Sequence, residues 1–254
     1  MDFRHITTWI FDLDNTLYPP EASLFSQIEK RMTAYVMREL GLSEPEANRL
    51  RSQYWRAHGT TLAGLMAEHG IDPLPYLRDV HDIDFSVLSP DPELAALIAA
   101  LPGRKIVHTN ADAAYAAQVL AHRGLAVFDA VYGVEETGFH PKPDPRAYAA
   151  VRDADGFDPA RAAMFEDDPR NLEIPHRLGM RTILVGDGRD GGGIGQIAGL
   201  ATVDHDEIVA KPVHLHEGQA EVLLAFHDGH IPPPERFCQR RRFFRLTRPA
   251  PTTS

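Results

Sequence analysis

Two carboxylates separated by one residue follow an apolar stretch near the start of the sequence. Residues 11–17 read FDLDNTL and contain Asp12 and Asp14. A carboxylate such as Asp12 can attack phosphorus and become an aspartyl phosphate. Asp14 can protonate the departing oxygen and then deprotonate the water of a second step. A bare pair of this kind more often marks an Asx turn at the end of a strand, but the whole seven-residue pattern with its apolar flanks favours catalysis.

Strands and helices alternate along most of the chain around these aspartates. β-Branched and aromatic residues at 6–11 predict a buried strand. Further strands are predicted at 105–109, 130–132, 163–165 and 182–185. Helices are predicted at 92–101, 113–123, 171–178 and 217–226, with two more beginning at Asp144-Pro145 and Asp158-Pro159. This alternation predicts an α/β fold with a doubly wound parallel sheet, in which Asp12, Thr109 and Asp167 meet beyond the carboxyl ends of the strands.

The stretch between the first two strands interrupts this alternation. Apolar residues recur every four positions along 22–40, which predicts a helix with one buried face. Ser43 and Glu46 match a capping box for a second helix, and a third helix is predicted over 62–69. Residues 19–88 are therefore predicted to form an all-helical insertion.

The FDLDNTL segment resembles the first motif of the haloacid dehalogenase superfamily, whose phosphatases keep both aspartates. Three later segments resemble the remaining motifs in the same order: HTN at 108–110, PKPDP at 141–145 and FEDDPRNL at 165–172. The four motifs together are specific, although none alone would be. The resemblance covers about residues 6–186 and implies a Rossmann-like core with the helical insertion as a cap domain.

The helical insertion and this resemblance divide the chain into three parts. We expect the core domain to comprise residues 1–18 and 89–210, and the cap domain residues 19–88. Residues 211–254 would form a C-terminal extension with a flexible tail, because the tail contains proline-rich and arginine-rich runs. A cap of this kind closes over the substrate, excludes water and contacts the leaving group.

The second and third motifs imply groups that hold a phosphoryl moiety. The resemblance implies that the hydroxyl of Thr109 and the backbone N–H of Asn110 bind phosphoryl oxygens. It also implies that the ammonium of Lys142 neutralises the charge of Asp12 and of the phosphoryl group. Taken singly, Thr109 would be an ordinary helix N-cap and Lys142 a solvated loop residue.

The fourth motif implies a magnesium site. Mg²⁺ prefers about six hard oxygen ligands, and four carboxylates that repel one another without a cation would be costly. The residues that the resemblance implies as ligands are Asp12, Asp167, Glu166, Asp168 and the backbone carbonyl of Asp14. Asn171 stands where many relatives have a second acidic residue and would lie behind the ligands. Whether Glu166 or Asp168 touches the ion directly stays open, since an acidic strand end is also favourable beside a helix N-terminus.

Several features of the insertion resemble the pyrimidine 5′-nucleotidase branch of the superfamily. They are GTTLAGLM at 59–66, VHDID at 80–84 and the YPP that follows the first motif. The resemblance implies nucleoside monophosphates such as UMP or CMP as substrates. Thr60 and Thr61 are candidates for a polar pocket, His81 for the junction of cap and core, and Tyr18 for stacking on a base, although each could equally be structural. The aromatic residues Tyr54, Trp55 and His69 are expected to serve helix packing.

The composition restricts the partners of the protein. The 254 residues carry a formal net charge of −10, which argues against nucleic acid as a partner. This charge would also repel a small anionic phosphate monoester unless a metal or local cations offset it.

Cys238 cannot form an intramolecular disulfide, and no apolar run is long enough to span a bilayer. A cytoplasmic protein that does not enter a membrane is expected, and its oligomeric state is unknown.

Two other functions are compatible with the same four motifs. A sugar phosphomutase of the superfamily would return the phosphoryl group from the first aspartate to a bound sugar instead of to water. A non-catalytic nucleotide-binding protein could have the same fold, but such proteins tend to lose the catalytic carboxylates that this chain keeps. A dehalogenase is disfavoured because Asp14 would have no proton-donor role in it.

Overall fold

A parallel sheet forms the centre of the protein in the computed structural model, which describes residues 3–185 and 201–203. In this part of the chain the sheet has six strands in the order β3-β2-β1-β4-β5-β6. They are β1 (Thr8–Phe11), β2 (Arg104–His108), β3 (Ala130–Tyr132), β4 (Ala162–Glu166), β5 (Arg181–Val185) and β6 (Ala201–Val203). The expected doubly wound α/β fold is confirmed. The helix predicted at 217–226 and the arginine run near the C-terminus lie outside the described residues.

The register of the sheet determines which residues meet at its carboxyl edge. Phe11, the last residue of β1, pairs with Val107 in β2 and with Phe165 in β4. Its ring stacks on that of Phe165 with centroids 4.6 Å apart. Asp12 therefore leaves the sheet at the same level as His108 and Glu166, and the next residues of the two neighbouring strands follow directly.

Eight α-helices lie in the described residues, and none of these is long and apolar enough to cross a membrane. They are α1 (Leu24–Leu40), α2 (Glu44–His58), α3 (Thr61–His69), α4 (Pro73–Val80), α5 (Pro92–Ala100), α6 (Ala113–Arg123), α7 (Pro145–Asp155) and α8 (Pro169–Arg177). The helix expected to begin at Asp158-Pro159 is only a 3-10 turn, Pro159–Arg161. Helix α8 begins earlier than expected, because Asp168 caps it by accepting the N–H of Arg170.

Helices α1 to α4 form the predicted all-helical insertion between β1 and β2. The capping box of Ser43 and Glu46 is present at the start of α2. Gly64 allows α3 to pack closely on α2, because a Cβ at this position would lie 2.2 Å from the ring of Tyr54. Helix α4 was not expected as a separate element. The domain boundaries at residues 18/19 and 88/89 stay a prediction.

Arg123 contacts both of the segments that link the sheet to the inserted helices. Its buried guanidinium donates from Nε to the carbonyl of Leu17 and from Nη1 to the carbonyl of Ser89, at 3.1 and 2.6 Å. Nη2 lies 2.7 Å from the carboxylate of Asp91. One side chain therefore holds the segment that leaves β1 and the segment that returns toward β2.

Replacing Arg123 with methionine should destabilise the protein, since two buried carbonyls and a carboxylate would lose their donor. We expect the free energy of unfolding to fall by about 2–4 kcal/mol, as measured by urea denaturation. Arg177→Met is the matched control, because the ion pair of Arg177 with Glu173 is largely exposed and should contribute less than about 0.5 kcal/mol. Equal, small losses in both variants would contradict this role of Arg123.

Candidate active site

A cavity of about 650 Å³ lies between the carboxyl edge of the sheet and the inserted helices. Asp12, Thr109 and Asp167 all line it. The convergence expected from the order of the strands is therefore confirmed, although β1 is separated from β2 and β4 by long stretches of sequence. The cavity is the place where the candidate residues are assembled.

Three carboxylates form a compact cluster at the floor of this cavity. Asp12, Glu166 and Asp167 each offer an oxygen, and these oxygens lie within 4.8 Å of one another. Asp12 and Glu166 are buried. The side-chain amide of Asn15 lies 3.4 Å from Asp167 Oδ2. Such a concentration of buried negative charge needs a counterion.

Lys142 provides part of this compensation. Its ammonium lies 2.6 Å from Asp12 Oδ1 and 2.6 Å from Glu166 Oε2, and it donates to the backbone carbonyl of His108 at 2.8 Å. The side chain is only 1% exposed, so the interpretation of Lys142 as a solvated loop residue is wrong. All three ammonium hydrogens have acceptors, as a buried charge requires.

Asn110 fixes the backbone of Lys142 from the opposite side. The Asn110 amide donates to the Lys142 carbonyl at 3.1 Å, and its Oδ1 accepts the Lys142 N–H at 2.7 Å. The sequence motif predicts a role only for the backbone N–H of Asn110, so the role of its side chain is a finding of the structure. Thr109 is not the N-cap of α6, because Asp112 occupies that position and accepts the N–H of Tyr115.

The pKa values reflect burial and mutual repulsion. Burial, with a further contribution from Glu166, raises the pKa of Asp12 to about 8 although Lys142 opposes the increase. Burial raises the pKa of Glu166 to about 8, again against Lys142, and burial together with the charge of Asp12 raises that of Asp167 to about 7. Burial alone would lower the pKa of Lys142, but Asp12 and Glu166 raise it by more, so the ammonium keeps its proton.

The donor set suits a divalent cation. When all three carboxyl groups are ionised, the ammonium of Lys142 balances one of the three negative charges and leaves two without an ion-pair partner among the described residues. Asn171 Oδ1 is buried and has no hydrogen-bond partner among the described residues, and Asn171 lines the same cavity. Hard oxygens in this number and with this charge match the preferences of Mg²⁺.

Asp168 does not join this cluster. Its carboxylate pairs with the guanidinium of Arg170, with Nη2 2.6 Å from Oδ2 and Nε 3.1 Å from each oxygen. It also caps α8, and its oxygens are not among those that lie within 4.8 Å of one another. Of the two candidates Glu166 and Asp168, Glu166 lies in the cluster, whereas Asp168 pairs with a cation of its own chain.

Asp14 is held by two tyrosine hydroxyls. Tyr18 and Tyr115 both donate to Asp14 Oδ1, at 2.5 and 2.6 Å. Tyr18 is only 1% exposed, so the expectation that it stacks on a base is wrong. Tyr115 was missed, because an aromatic residue in the first turn of a helix gives no local signal of a catalytic contact.

The remaining candidates lie where the inserted helices meet the core. His81, at the end of α4, stacks on Tyr115 with ring centroids 4.3 Å apart, and its Nδ1 lies 2.6 Å from Asp112 Oδ2. His81 therefore lies where α4 meets the beginning of α6. Thr60 and Thr61 line the cavity, and Thr60 also caps α3 by accepting the N–H of Ala63.

Trp55 does not serve helix packing as expected. It is 46% exposed, and it lines the cavity. The guanidinium carbon of Arg170 lies 3.5 Å from the centroid of the indole. Arg170 also donates to the Trp55 carbonyl at 3.3 Å. This cation–π pair is a second contact between the inserted helices and the core.

Comparisons with known proteins agree with this geometry. A model of the family described as haloacid dehalogenase-like hydrolase matches residues 6–179. Phosphate metabolism protein 8 of Saccharomyces cerevisiae is 25% identical, and the match covers 69% of this chain and 60% of the yeast protein. This chain therefore spans less than two thirds of the length of that relative.

Solved structures share the fold at low identity. A HAD phosphatase from Thermococcus onnurineus has a TM-score of 0.50 and 18% identity, with 77% of this chain and 92% of that chain covered. L-2-haloacid dehalogenase from Xanthobacter autotrophicus has a TM-score of 0.47 and 20% identity, with 71% and 78% covered. At 18% identity the likeness to the Thermococcus structure concerns the fold alone.

The raised pKa values predict a pH-dependent response to divalent cations. Without a cation, the folded carboxyls keep protons that the unfolded chain loses near pH 4, so stability should fall as the pH rises from about 4 to about 8. A bound cation replaces these protons. Mg²⁺ should therefore raise the Tm by several degrees at about pH 8 and by little at about pH 5, as measured by differential scanning calorimetry.

Asp167→Asn provides the control for this measurement, since it removes one carboxylate of the cluster and should abolish most of the gain from Mg²⁺ at about pH 8. An equal gain at both pH values, or a gain that persists in the variant, would show that the cation acts elsewhere.

Proposed function

Because the chain belongs to the haloacid dehalogenase-like hydrolase family, we propose that it is a Mg²⁺-dependent phosphatase of small phosphate monoesters. The proposed substrates are pyrimidine nucleoside 5′-monophosphates, and the proposed intermediate is an aspartyl phosphate. The observation that carries the proposal is Asp14, a second carboxylate beside Asp12 with both tyrosine hydroxyls on one of its oxygens. A hydrolase that acts on an ester needs such a proton donor, whereas release of a halide does not.

The first half-reaction transfers the phosphoryl group to Asp12. Lys142 holds Oδ1 of Asp12, so we assign the attack on phosphorus to Oδ2. The new bond joins this oxygen to phosphorus while the bond from phosphorus to the ester oxygen breaks. Asp14 gives its proton to the departing alcohol, and Oδ2 is the oxygen that we assign to this transfer because the hydroxyls bind Oδ1.

The second half-reaction releases phosphate. Asp14, now ionised, accepts a proton from a water molecule that attacks phosphorus on the side opposite Asp12. The bond between phosphorus and the Asp12 oxygen breaks. This step regenerates the Asp12 carboxylate and forms inorganic phosphate as the product. Thr109 and the backbone N–H of Asn110 are assigned to the phosphoryl oxygens, so that positioning and electrostatics supply most of the catalysis.

The metal would be held at the acidic cluster. Asp12, Asp167, Glu166 and the backbone carbonyl of Asp14 are its proposed ligands, with Asn171 beside them. When bound, Mg²⁺ would neutralise charge on the phosphoryl group and on the carboxylates. This local compensation matters because the whole chain has a net charge of −10, which would otherwise repel the substrate.

The substrate class is supported by the helical side of the cavity and by one relative. The yeast relative is named for phosphate metabolism. Trp55, Thr60, Thr61 and His81 line the cavity and could contact a nucleoside. A cytoplasmic location remains part of the proposal, since the only cysteine, Cys238, cannot form an intramolecular disulfide.

A phosphate-release screen over nucleotides and sugar phosphates, with and without Mg²⁺, tests this function. Asp12→Asn should lower kcat by about a thousandfold or more, because an amide cannot form the intermediate. Circular dichroism should show an unchanged fold. Full Mg²⁺-dependent turnover in this variant would refute the mechanism, and conversion of glucose 1-phosphate into an isomer would favour the phosphomutase instead. If nucleotides bind without release of phosphate, the non-catalytic alternative holds.

Tyr115→Phe should weaken proton transfer by removing one of the two hydroxyl donors to Asp14. We expect kcat to fall by about tenfold with KM changed less than about twofold. Steady-state kinetics with UMP measures both. Tyr132→Phe is the matched control, since it removes a hydroxyl that donates to Asp155, a residue that pairs with Arg104 at the start of β2. A loss confined to KM, or equal losses in both variants, would contradict the proposed contact.

A further inference from the structure

Two buried polar atoms on the helical side of the cavity have no hydrogen-bond partner in the part of the chain that the structure describes. They are Nε of Arg51 in α2 and the hydroxyl of Tyr76 in α4. Both residues line the same cavity as the acidic cluster. Buried donors are almost always paired in folded proteins, so this unpaired set points to a group that arrives with a ligand.

The guanidinium of Arg51 is fixed along its other edge. Nη1 donates to Thr33 Oγ1 at 2.6 Å and lies 3.3 Å from Asn48 Oδ1. The hydroxyl of Thr33 itself donates to Asn48 Oδ1 at 2.7 Å. These contacts set the plane of the guanidinium before any ligand binds, and they leave Nε–H to donate elsewhere. Such preorganisation reduces the entropy cost of binding.

The hydroxyl of Tyr76 belongs to a residue that lines the same cavity as this guanidinium. Tyr76 is 3% exposed, and its ring packs edge-on against that of Tyr35 with centroids 4.9 Å apart. Burial raises the pKa of Tyr76, while the charge of Arg51 opposes the increase. The phenol therefore stays protonated and is available as a hydrogen-bond donor.

The charge around Arg51 selects the kind of group that would bind. Glu29 Oε1 lies 3.6 Å from Nη2 of Arg51, so the positive charge of Arg51 is already balanced in part. A phosphate group bound here, in addition to the one that reacts at Asp12, would therefore gain little electrostatic stabilisation. Phe25, Ile28, Met32 and Leu77 line the same cavity as the two donors. Apolar walls with two fixed donors fit a flat ring that carries a carbonyl oxygen.

We propose that Arg51 and Tyr76 bind a neutral carbonyl acceptor on the ring of the leaving group, as a pyrimidine base presents. This inference rests on the proposed phosphatase function and adds two residues that determine specificity. Neither residue takes part in the chemistry at phosphorus. The cavity thus has a reacting end at the sheet and a recognition end on the inserted helices.

A pair of substrates that differ only in the base tests the inference. UMP and ribose 5-phosphate present the same ester and the same sugar phosphate to Asp12. Arg51→Met and Tyr76→Phe should each lower kcat/KM for UMP by about tenfold, and for ribose 5-phosphate by less than about twofold. Tyr35→Phe, the same change in the neighbouring ring, should leave both values unchanged within about twofold.

The outcomes separate the inference from the proposed function. Equal losses on both substrates, or no loss on UMP, would overturn the inference while phosphate release itself stands. If the wild-type protein releases phosphate from no monoester, the proposed function fails, and calorimetric titration with uridine then tests the recognition end alone. Binding of uridine that is weakened by Tyr76→Phe would support the inference, and absence of binding would overturn it.

If Arg51→Met does not fold, Arg51→Lys keeps the charge while removing Nε–H and should show the same selective loss.

Discussion

The ammonium of Lys142 is the contact on which the rest of the site depends. It joins the carboxylates of Asp12 and Glu166 to the backbone carbonyl of His108, so one side chain holds together the carboxyl ends of β1, β2 and β4. A buried charge is tolerated only when it is paired and hydrogen-bonded. The amide of Asn110 fixes the lysine backbone as well. The loop that carries Lys142 therefore cannot shift without exposing or breaking both sets of contacts.

One ammonium is not enough for three carboxylates, and this imbalance decides the character of the site. The raised pKa values of Asp12, Glu166 and Asp167 show that the cluster resists full ionisation on its own. A divalent cation would allow all three to ionise and would also create local positive potential in a chain of net charge −10. The excess of negative charge at the cluster thus favours binding of a metal, and the bound metal would in turn favour binding of an anionic substrate.

The inserted helices are connected to the proposed chemistry through aromatic rings. Tyr115 donates to Asp14 and stacks on His81 at the end of α4, so the proton-transfer carboxylate and the helical side of the cavity share a support. The pair of Trp55 and Arg170 adds a second bridge between the two parts. Both contacts place an aromatic ring at the boundary between the inserted helices and the core.

The sequence by itself determined strands β1 to β5, most of the helix boundaries and the convergence of Asp12 with Thr109. Periodicity, Asp-Pro pairs and helix-ending glycines act over a few residues, and parallel strands all end at one edge of the sheet. Only the tertiary structure decided that Asp168 pairs with Arg170, that Tyr18 is buried, and that Tyr115 reaches Asp14 from 101 residues away. The physical reason is that a local pattern reports which face of an element is buried. The polar atom that a buried side chain meets is decided by the packing of distant segments.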